Sequence, residues 1–98
     1  MSDAYVYMLR CADGSLYTGW SSDVARRLQR HNAGTASRYT ASRLPVELVY
    51  EAAMEDRSAA RREEARIKAL DRREKLALIA DRRGRADGCG GLDRALRA

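Results

Sequence analysis

The chain has 98 residues, of which 45% are hydrophobic and 34% charged, and its mean hydropathy is −0.59. These values are typical of one small globular domain and exclude a membrane-spanning protein and a fully disordered chain. The formal net charge is +5, and nearly all of the nineteen cations are arginines, which suit a polyanionic partner; GC-rich coding also produces abundant arginine. The start of the chain lacks the features of a secretory signal, and Cys11 and Cys89 do not form a metal-binding pair. We therefore expect a cytoplasmic protein with no membrane association.

Two strands joined by a tight turn are predicted at the start of the chain. Residues 5–11 alternate aromatic and aliphatic side chains, and residues 15–20 have the pattern of the returning strand. Asp13 and Gly14 between them are typical of a hairpin turn, in which positive φ angles are needed. This pattern predicts a leading β-hairpin.

A helix, a loop and a third strand are predicted next. Residues 21–23 offer N-cap oxygens, and apolar residues at helical spacing follow from Val24 to about Asn32. Residues 35–44 show no periodicity and are expected to form a loop. Pro45 then opens a third strand over residues 46–53, whose alternation places Val46, Leu48 and Tyr50 on one face.

The rest of the chain predicts two further helices and a tail. Asp56 or Ser58 caps the first helix, whose apolar stripe includes Ala60 and Ile67, and a second helix covers residues 72–80. The expected fold class is therefore α/β (α+β), a small three-stranded, mainly antiparallel sheet with a leading hairpin, flanked by about three helices. Residues 1–82 form the predicted domain, and residues 83–98 are a Gly- and Arg-rich tail expected to be flexible.

Positive charge is concentrated in one part of the predicted domain. Residues 1–44 carry six arginines and three aspartates, and residues 45–81 carry eight cations and nine acids. Between residues 24 and 43 there is no acid at all. This stretch predicts a nucleic-acid-binding surface, with a solvated helix face as the alternative. Its candidate contact residues are Arg26, Arg30, Arg38, Tyr39 and Arg43.

The residues that could carry chemistry are few. The sequence contains no phosphate-binding glycine loop and no H-E-x-x-H zinc motif. Arg27 and His31 are four residues apart and so share one face of the predicted helix. Glu63 and Glu64 flank the apolar stripe of the later helix, and periodicity alone does not choose between them.

The ordered set of these residues resembles the GIY-YIG nuclease superfamily, in particular its small stand-alone bacterial branch. The segment Tyr5-Val6-Tyr7 stands ten residues before Tyr17-Thr18-Gly19, and Arg27 follows Gly19 by eight residues, as in that family. The later stretch from Glu64 to Lys68 is similar to the second helix of the same branch. The resemblance covers roughly residues 4–81. It departs from the larger relatives in having Tyr5 in place of a glycine and no asparagine after Glu64.

The resemblance implies which residues form the catalytic site. Tyr7 and Tyr17 match the tyrosines of the two motifs, Arg27 matches the family arginine, and Glu64, chosen by the Glu-x-x-Ile-Lys register, matches the metal-holding glutamate. In such a site the arginine would clamp a phosphate, and Glu64 would hold one Mg²⁺ or Mn²⁺. Tyr17, or with less support Tyr7, would orient or deprotonate the attacking water. His31 would relay that proton or contact phosphate.

The resulting hypothesis is a metal-dependent endonuclease that hydrolyses DNA with weak sequence specificity, in DNA repair or processing. RNA is the alternative nucleic acid. A non-catalytic nucleic-acid-binding module that keeps the nuclease fold is the alternative function, and a protein–protein adaptor in DNA repair is the third. The set of two tyrosines, an arginine and a glutamate favours the enzyme, because a pure binder has no evident need of the glutamate.

Overall fold

The computed structural model describes the backbone of residues 3–87 and the side chains of residues 3–81. It contains one sheet of three strands, β1 (Ala4–Arg10), β2 (Leu16–Ser21) and β3 (Glu47–Met54). Their order is β2-β1-β3, and both pairings of the central strand β1 are antiparallel. The predicted fold class, with its leading hairpin, is therefore confirmed.

Within residues 3–87, four helices lie outside the sheet, one more than the sequence predicts. They are α1 (Val24–Asn32), α2 (Arg38–Ala41), α3 (Arg57–Lys68) and α4 (Arg72–Asp87). The prediction of a plain loop over residues 35–44 is wrong because α2 forms there. Its four residues are too short for any hydrophobic period, but Ser37 caps them by accepting a hydrogen bond from the Tyr39 amide.

The last helix is longer than predicted. Helix α4 continues past Arg82 to Asp87, so the first residues of the predicted tail are helical. Arginine and alanine favour helix, and the cost of the one interior glycine, Gly84, is only about 1 kcal/mol. The remainder of the predicted tail, residues 88–98, lies outside the described residues.

The sheet has a packed core on each face. On one face, Val6, Met8 and Ala52 pack against α3 and α4 through Ala60, Ile67 and Ile79. The other face is covered by α1: its cluster contains Tyr7, Leu9, Cys11, Val24 and Val46, with Tyr17 and Leu28 packed against it. Tyr5 and Tyr7 lie two residues apart on β1 and so share one face of the sheet, as do Tyr17 and Gly19 on β2. This second face carries the candidate site.

A bulge in β3 changes the predicted pattern of that strand. Met8 is opposite Tyr50 and Leu9 is opposite Leu48, so Val49 is the extra residue between them. Val46 and Leu48 therefore pack on the α1 face, whereas Tyr50 packs on the α3 face. The prediction that Val46, Leu48 and Tyr50 share one face is wrong, because one inserted residue reverses the alternation beyond it.

Local polar groups fix the ends of the helices that frame the site. Asp23 caps α1 by accepting from the Arg26 amide at 3.1 Å, and Asp56 caps α3 by accepting from the Ala59 amide at 2.7 Å. Asn32, at the end of α1, donates to the Val46 carbonyl and accepts from the Val46 amide. Helix α1 is thereby tied to the start of the third strand. Among the described residues, no helix combines the length and apolar composition that a membrane span requires.

Candidate active site

Tyr7 is the buried centre of the candidate site. Its side chain projects from the central strand, and only 1% of the residue is exposed. The opposite residue on β2 is Gly19. A Cβ atom at Gly19 would lie 2.7 Å from the Tyr7 hydroxyl oxygen and 2.9 Å from Cζ, which is closer than van der Waals contact allows. Gly19 therefore supplies the space in which the Tyr7 hydroxyl lies against the strand.

His31 joins Tyr7 in a buried polar chain. Nε2 of His31 lies 2.9 Å from the Tyr7 hydroxyl, and Nδ1 lies 2.8 Å from the hydroxyl of Thr40 in α2. His31 and Thr40 are both 0% exposed. The predicted direct contact of His31 with phosphate does not fit this position, because the ring is buried and both of its nitrogens have partners. Its predicted place beside the tyrosines and Arg27, and a role in proton transfer, do fit.

Tyr17 and Tyr39 extend the cluster toward solvent. The ring of Tyr17 lies 5.1 Å from the His31 ring, 6.4 Å from that of Tyr7 and 6.0 Å from that of Tyr39, measured between centroids. Tyr17 is half-buried and Tyr39 is 38% exposed. The three tyrosines thus run from the buried Tyr7 through Tyr17 to the exposed Tyr39.

Arg27 lies at the boundary between this cluster and the surface. The guanidinium lies close enough to Tyr7 for its charge to act on the hydroxyl, and Arg27 lines two adjacent depressions. One depression, of about 290 Å³, is also lined by Arg26 and Arg30, and the other, of about 220 Å³, by Arg57 and Trp20. Arg27 is therefore the cation shared by two concave surfaces, each of which has a further arginine.

Arg57 is a member of this surface that sequence reasoning missed. It stands at the first position of α3, in a part of the sequence where acids balance the cations and no basic surface is predicted. Its guanidinium makes only a long 3.9 Å contact with Asp3, and its side chain is 63% exposed. The signal that could have identified it is tertiary: the packing of α3 against β2 brings this residue next to Arg27.

The two candidate glutamates of α3 have different surroundings. Glu63 is held by two hydrogen bonds from Arg66, at 2.9 and 2.6 Å, and the positive charge of Arg66 acts on Tyr50 of β3. Glu64 pairs with Lys68 at 3.2 Å, and its charge acts on Tyr7. Glu64 thus lies within electrostatic reach of the buried tyrosine, and this supports the choice that the family register implies.

The carboxylates suit a weakly held divalent ion. Among the described residues, no group of three or more His, Cys, Asp or Glu side chains could enclose a metal. Mg²⁺ commonly binds through one or two carboxylates and completes its shell with water and substrate phosphate. Glu64 is half-buried and, among the described residues, pairs with the flexible Lys68, so it fits such a site. The bidentate pair of Glu63 with Arg66 occupies both carboxylate oxygens of Glu63.

The arginines predicted to contact nucleic acid lie in three different surroundings. Arg26 and Arg30 are exposed and lie with Arg27, as expected. Arg38 lines a different depression, of about 250 Å³, at the start of α2. Arg43 is engaged within the protein: its Nε is 3.1 Å from Asp13, and its guanidinium carbon is 3.9 Å from the centroid of the Tyr39 ring.

Burial and charge set the protonation of the two central groups. Burial, reinforced by Tyr17, raises the pKa of Tyr7 to about 12, although the charge and hydrogen bond of Arg27 oppose the rise. Burial, and then the charges of Arg27 and Arg30, lower the pKa of His31 below its ordinary value. At neutral pH the pair is therefore a neutral tyrosine beside a neutral histidine that can accept a proton.

Residues 3–77 match the GIY-YIG catalytic domain, and the chain belongs to that family. The GIY-YIG superfamily consists of endonucleases that generally use divalent metal ions. Family membership implies a nuclease-type function and a nucleic-acid substrate.

Within the superfamily, the chain is similar to the small UPF0213 proteins. It is 47% identical over 83 residues to one from Natronomonas pharaonis, an alignment that covers 85% of this chain and 98% of that protein. It is 45% identical over 82 residues to one from Staphylococcus aureus, covering 84% of this chain and all of that protein. These similarities place the chain with the small members of the family.

Two solved structures resemble the fold. The solution NMR structure of a UPF0213 protein from Bacillus halodurans is 40% identical, with a TM-score of 0.56, and the match covers 86% of this chain and 89% of that one. The solution NMR structure of a protein from E. faecalis is 36% identical, with a TM-score of 0.54 and coverage of 83% and 91%.

Proposed function

We propose that this protein is a divalent-metal-dependent DNA endonuclease that hydrolyses phosphodiester bonds with weak sequence specificity. The observation that carries the proposal is the contact set of Tyr7, His31 and Arg27, with Glu64 in electrostatic reach of the same tyrosine. A buried tyrosine bonded to a neutral histidine can move a proton, and an arginine at the surface can bind the phosphate that is attacked. A binding module has no evident use for the buried part of this arrangement.

The arginine surface supports binding of a phosphate backbone. Arg27 lines both depressions, with Arg26 and Arg30 in one and Arg57 in the other. Three consecutive phosphates of one strand would then contact these cations in order, with the scissile phosphate on Arg27, whose guanidinium can bind two non-bridging oxygens. Contacts of this kind fix the position of the strand and carry no base information, which is the basis for weak sequence specificity.

Proton transfer is assigned to Tyr7 and His31. The attacking water oxygen forms the new bond to phosphorus, the bond from phosphorus to the 3′ oxygen breaks, and the leaving oxygen takes a proton from solvent to become the 3′-hydroxyl. The proton of the water passes to Tyr7 as Tyr7 gives its own proton to Nε2 of His31. The family resemblance favours Tyr17 for this role, but in the structure it is Tyr7 that hydrogen-bonds His31. Tyr17, the more exposed ring, would orient the water. Because the pKa of Tyr7 is raised to about 12, the concerted transfer avoids a free phenolate.

Glu64 is the proposed metal ligand. It would hold one Mg²⁺ or Mn²⁺ together with water and substrate oxygens, and the ion would supply charge neutralisation at the leaving 3′ oxygen. Lys68, which pairs with Glu64 at 3.2 Å, would be displaced from the carboxylate when the ion binds. The products would carry 5′-phosphate and 3′-hydroxyl ends, as expected in DNA processing or repair.

Cleavage of labelled single-stranded and branched DNA by the purified full-length chain tests the proposal. We expect cleavage in Mg²⁺ or Mn²⁺, none in EDTA, and 3′ ends that a polymerase extends without further treatment. Arg27→Ala should abolish cleavage. Arg73→Ala removes an equal charge at an exposed site on α4 and should leave cleavage unchanged. Salt-sensitive binding without cleavage in any divalent ion would instead identify a non-catalytic nucleic-acid-binding module.

A further inference from the structure

We infer that Thr40 is a positioning residue for proton transfer and that it acts by fixing the tautomer of His31. The inference rests on the proposed function for its catalytic consequence, whereas the tautomer itself follows from the hydrogen bonds. Thr40 is 0% exposed, and the His31 ring separates its hydroxyl from Tyr7, so its side chain acts through His31 and not on the substrate. Its hydroxyl lies 2.8 Å from Nδ1 of His31, on the side of the ring opposite Tyr7.

The direction of the hydrogen bonds from Tyr7 to His31 and Thr40 follows from which groups can accept a proton. Two groups face the Tyr7 hydroxyl: Nε2 of His31, at the hydrogen-bonding distance of 2.9 Å, and the guanidinium of Arg27, whose charge acts on it. A guanidinium donates and has no acceptor atom, so the Tyr7 proton can be placed only on His31. Nε2 must then carry the lone pair, and in neutral histidine the ring proton is on Nδ1.

Thr40 accepts that ring proton. A hydroxyl has one proton, and the Thr40 hydroxyl can place it on the Ser37 carbonyl, 3.3 Å away. Its oxygen is then free to accept from Nδ1. In the opposite arrangement, Thr40 donates to Nδ1 and Nε2 donates to Tyr7. The buried Tyr7 proton then has no acceptor, because neither Nε2–H of His31 nor the guanidinium of Arg27 can accept it. A buried donor without an acceptor is destabilising, so the first arrangement is favoured.

This tautomer has a consequence for the reaction. It keeps Nε2 unprotonated and directed at Tyr7, so His31 is ready to receive the tyrosine proton without first rotating or exchanging protons. After the transfer, Nδ1–H still donates to Thr40, which stabilises the imidazolium. Helix α2, a single turn inside the segment that the sequence predicts as a loop, thus carries a residue on which the buried proton acceptor depends.

Nitrogen-15 NMR of the imidazole tests the inference directly, because His31 is the sole histidine of the chain. At pH 8 we expect a protonated Nδ1 and an unprotonated Nε2 in the unaltered protein. Thr40→Ser keeps the hydroxyl and should keep this tautomer, whereas Thr40→Val removes the acceptor and should shift the ring toward protonated Nε2. Predominant protonation of Nε2 in the unaltered protein, or an unchanged tautomer in Thr40→Val, overturns the inference.

Cleavage rates provide the second reading. With saturating DNA, Thr40→Val should slow cleavage by roughly tenfold to a hundredfold, the scale known for residues that orient a metal-binding histidine, with DNA affinity unchanged. Thr40→Ser should restore the rate to within about threefold. If the unaltered protein cleaves nothing, the proposed function fails and the tautomer measurement still decides the role of Thr40. If Thr40→Val does not fold, the tautomer of the unaltered protein and of Thr40→Ser decides it.

Discussion

The Tyr7 hydroxyl lies 2.9 Å from Nε2 of His31, and both residues are almost completely buried. Tyr7 comes from the central strand and His31 from the last turn of α1, 24 residues later. The pair is therefore fixed by the tertiary fold, and the surface arginine Arg27 contacts it from the side where a phosphate would bind.

Removing the Tyr7 hydroxyl should separate proton transfer from packing. Tyr7→Phe keeps the buried ring but leaves Nε2 of His31 without its donor, so we expect cleavage to fall by about 10²- to 10⁴-fold and the free energy of unfolding by about 1 to 3 kcal/mol. Tyr17→Phe is the matched control, and we expect a smaller loss of rate. Single-turnover cleavage and urea unfolding measure the two effects. A larger loss of rate in Tyr17→Phe would assign the base to Tyr17 instead.

Adding one methyl group at Gly19 should disrupt the site from the β2 side. The new Cβ would lie 2.7 Å from the Tyr7 hydroxyl oxygen, so Gly19→Ala must displace the tyrosine from His31. We expect a loss of about 1 to 3 kcal/mol in unfolding free energy and a loss of cleavage.

Gly14→Ala is the control for that substitution. Gly14 has φ +86° and nothing within 4 Å of the added Cβ, so the cost there is backbone strain of about 1 to 2 kcal/mol with no contact to the site. Cleavage per folded molecule should be unchanged in Gly14→Ala. Equal activity in both variants would show that the close approach of Tyr7 to Gly19 has no functional importance.

Folding stability should fall as the pH drops below about 6.5, the ordinary pKa of histidine. Because the pKa of His31 is lowered in the folded protein, the unfolded chain binds a proton in this window that the folded chain does not bind, so acid favours unfolding. The stability from this group is complete above pH 6.5 and is lost as the pH falls through the lowered pKa. Thermal unfolding between pH 7.5 and 5.5 measures it. His31→Gln should show a flatter dependence, and an equal slope in both proteins would contradict this origin.

Arg57 should contribute one phosphate contact. Neutralising it in Arg57→Gln should weaken DNA binding uniformly across sequences and reduce the slope of log affinity against log salt concentration by about 1. Fluorescence anisotropy with labelled DNA in Ca²⁺ or EDTA measures this without cleavage. Arg73→Gln, the same change of charge on α4, should leave the slope unchanged. Arg43→Gln should have little effect on the slope, because that arginine pairs with Asp13 and stacks on Tyr39.

Much of the fold and of the site can be predicted from local pattern. The hairpin follows from alternation and from Asp13-Gly14, and Asp23 and Asp56 cap their helices as their positions suggest. The family resemblance rests on the spacing of four residues, Tyr7, Tyr17, Arg27 and Glu64. In the structure, the charges of Arg27 and Glu64 both act on Tyr7.

Other features depend on tertiary contacts that no local pattern contains. One bulge at Val49 moves Tyr50 to the other face of the sheet, and strand alternation alone cannot show where an extra residue enters. His31 looks like a surface residue of a basic helix, and its burial depends on α2, which is too short to leave a period. Arg57 joins Arg27 only because α3 packs on β2, and Arg43 is removed from the predicted binding surface by Asp13, thirty residues earlier.

The two neighbouring glutamates of α3 offer the most direct test of the central claim, which is that Glu64 serves a metal-dependent nuclease site. Nicking of supercoiled plasmid in Mg²⁺ or Mn²⁺ should be lost in Glu64→Gln. Glu63→Gln, which removes the same charge one residue away and only an exposed arginine pair, should retain it with less than about 1 kcal/mol of lost stability. Equal nicking by both variants, or loss only in Glu63→Gln, would contradict the assignment.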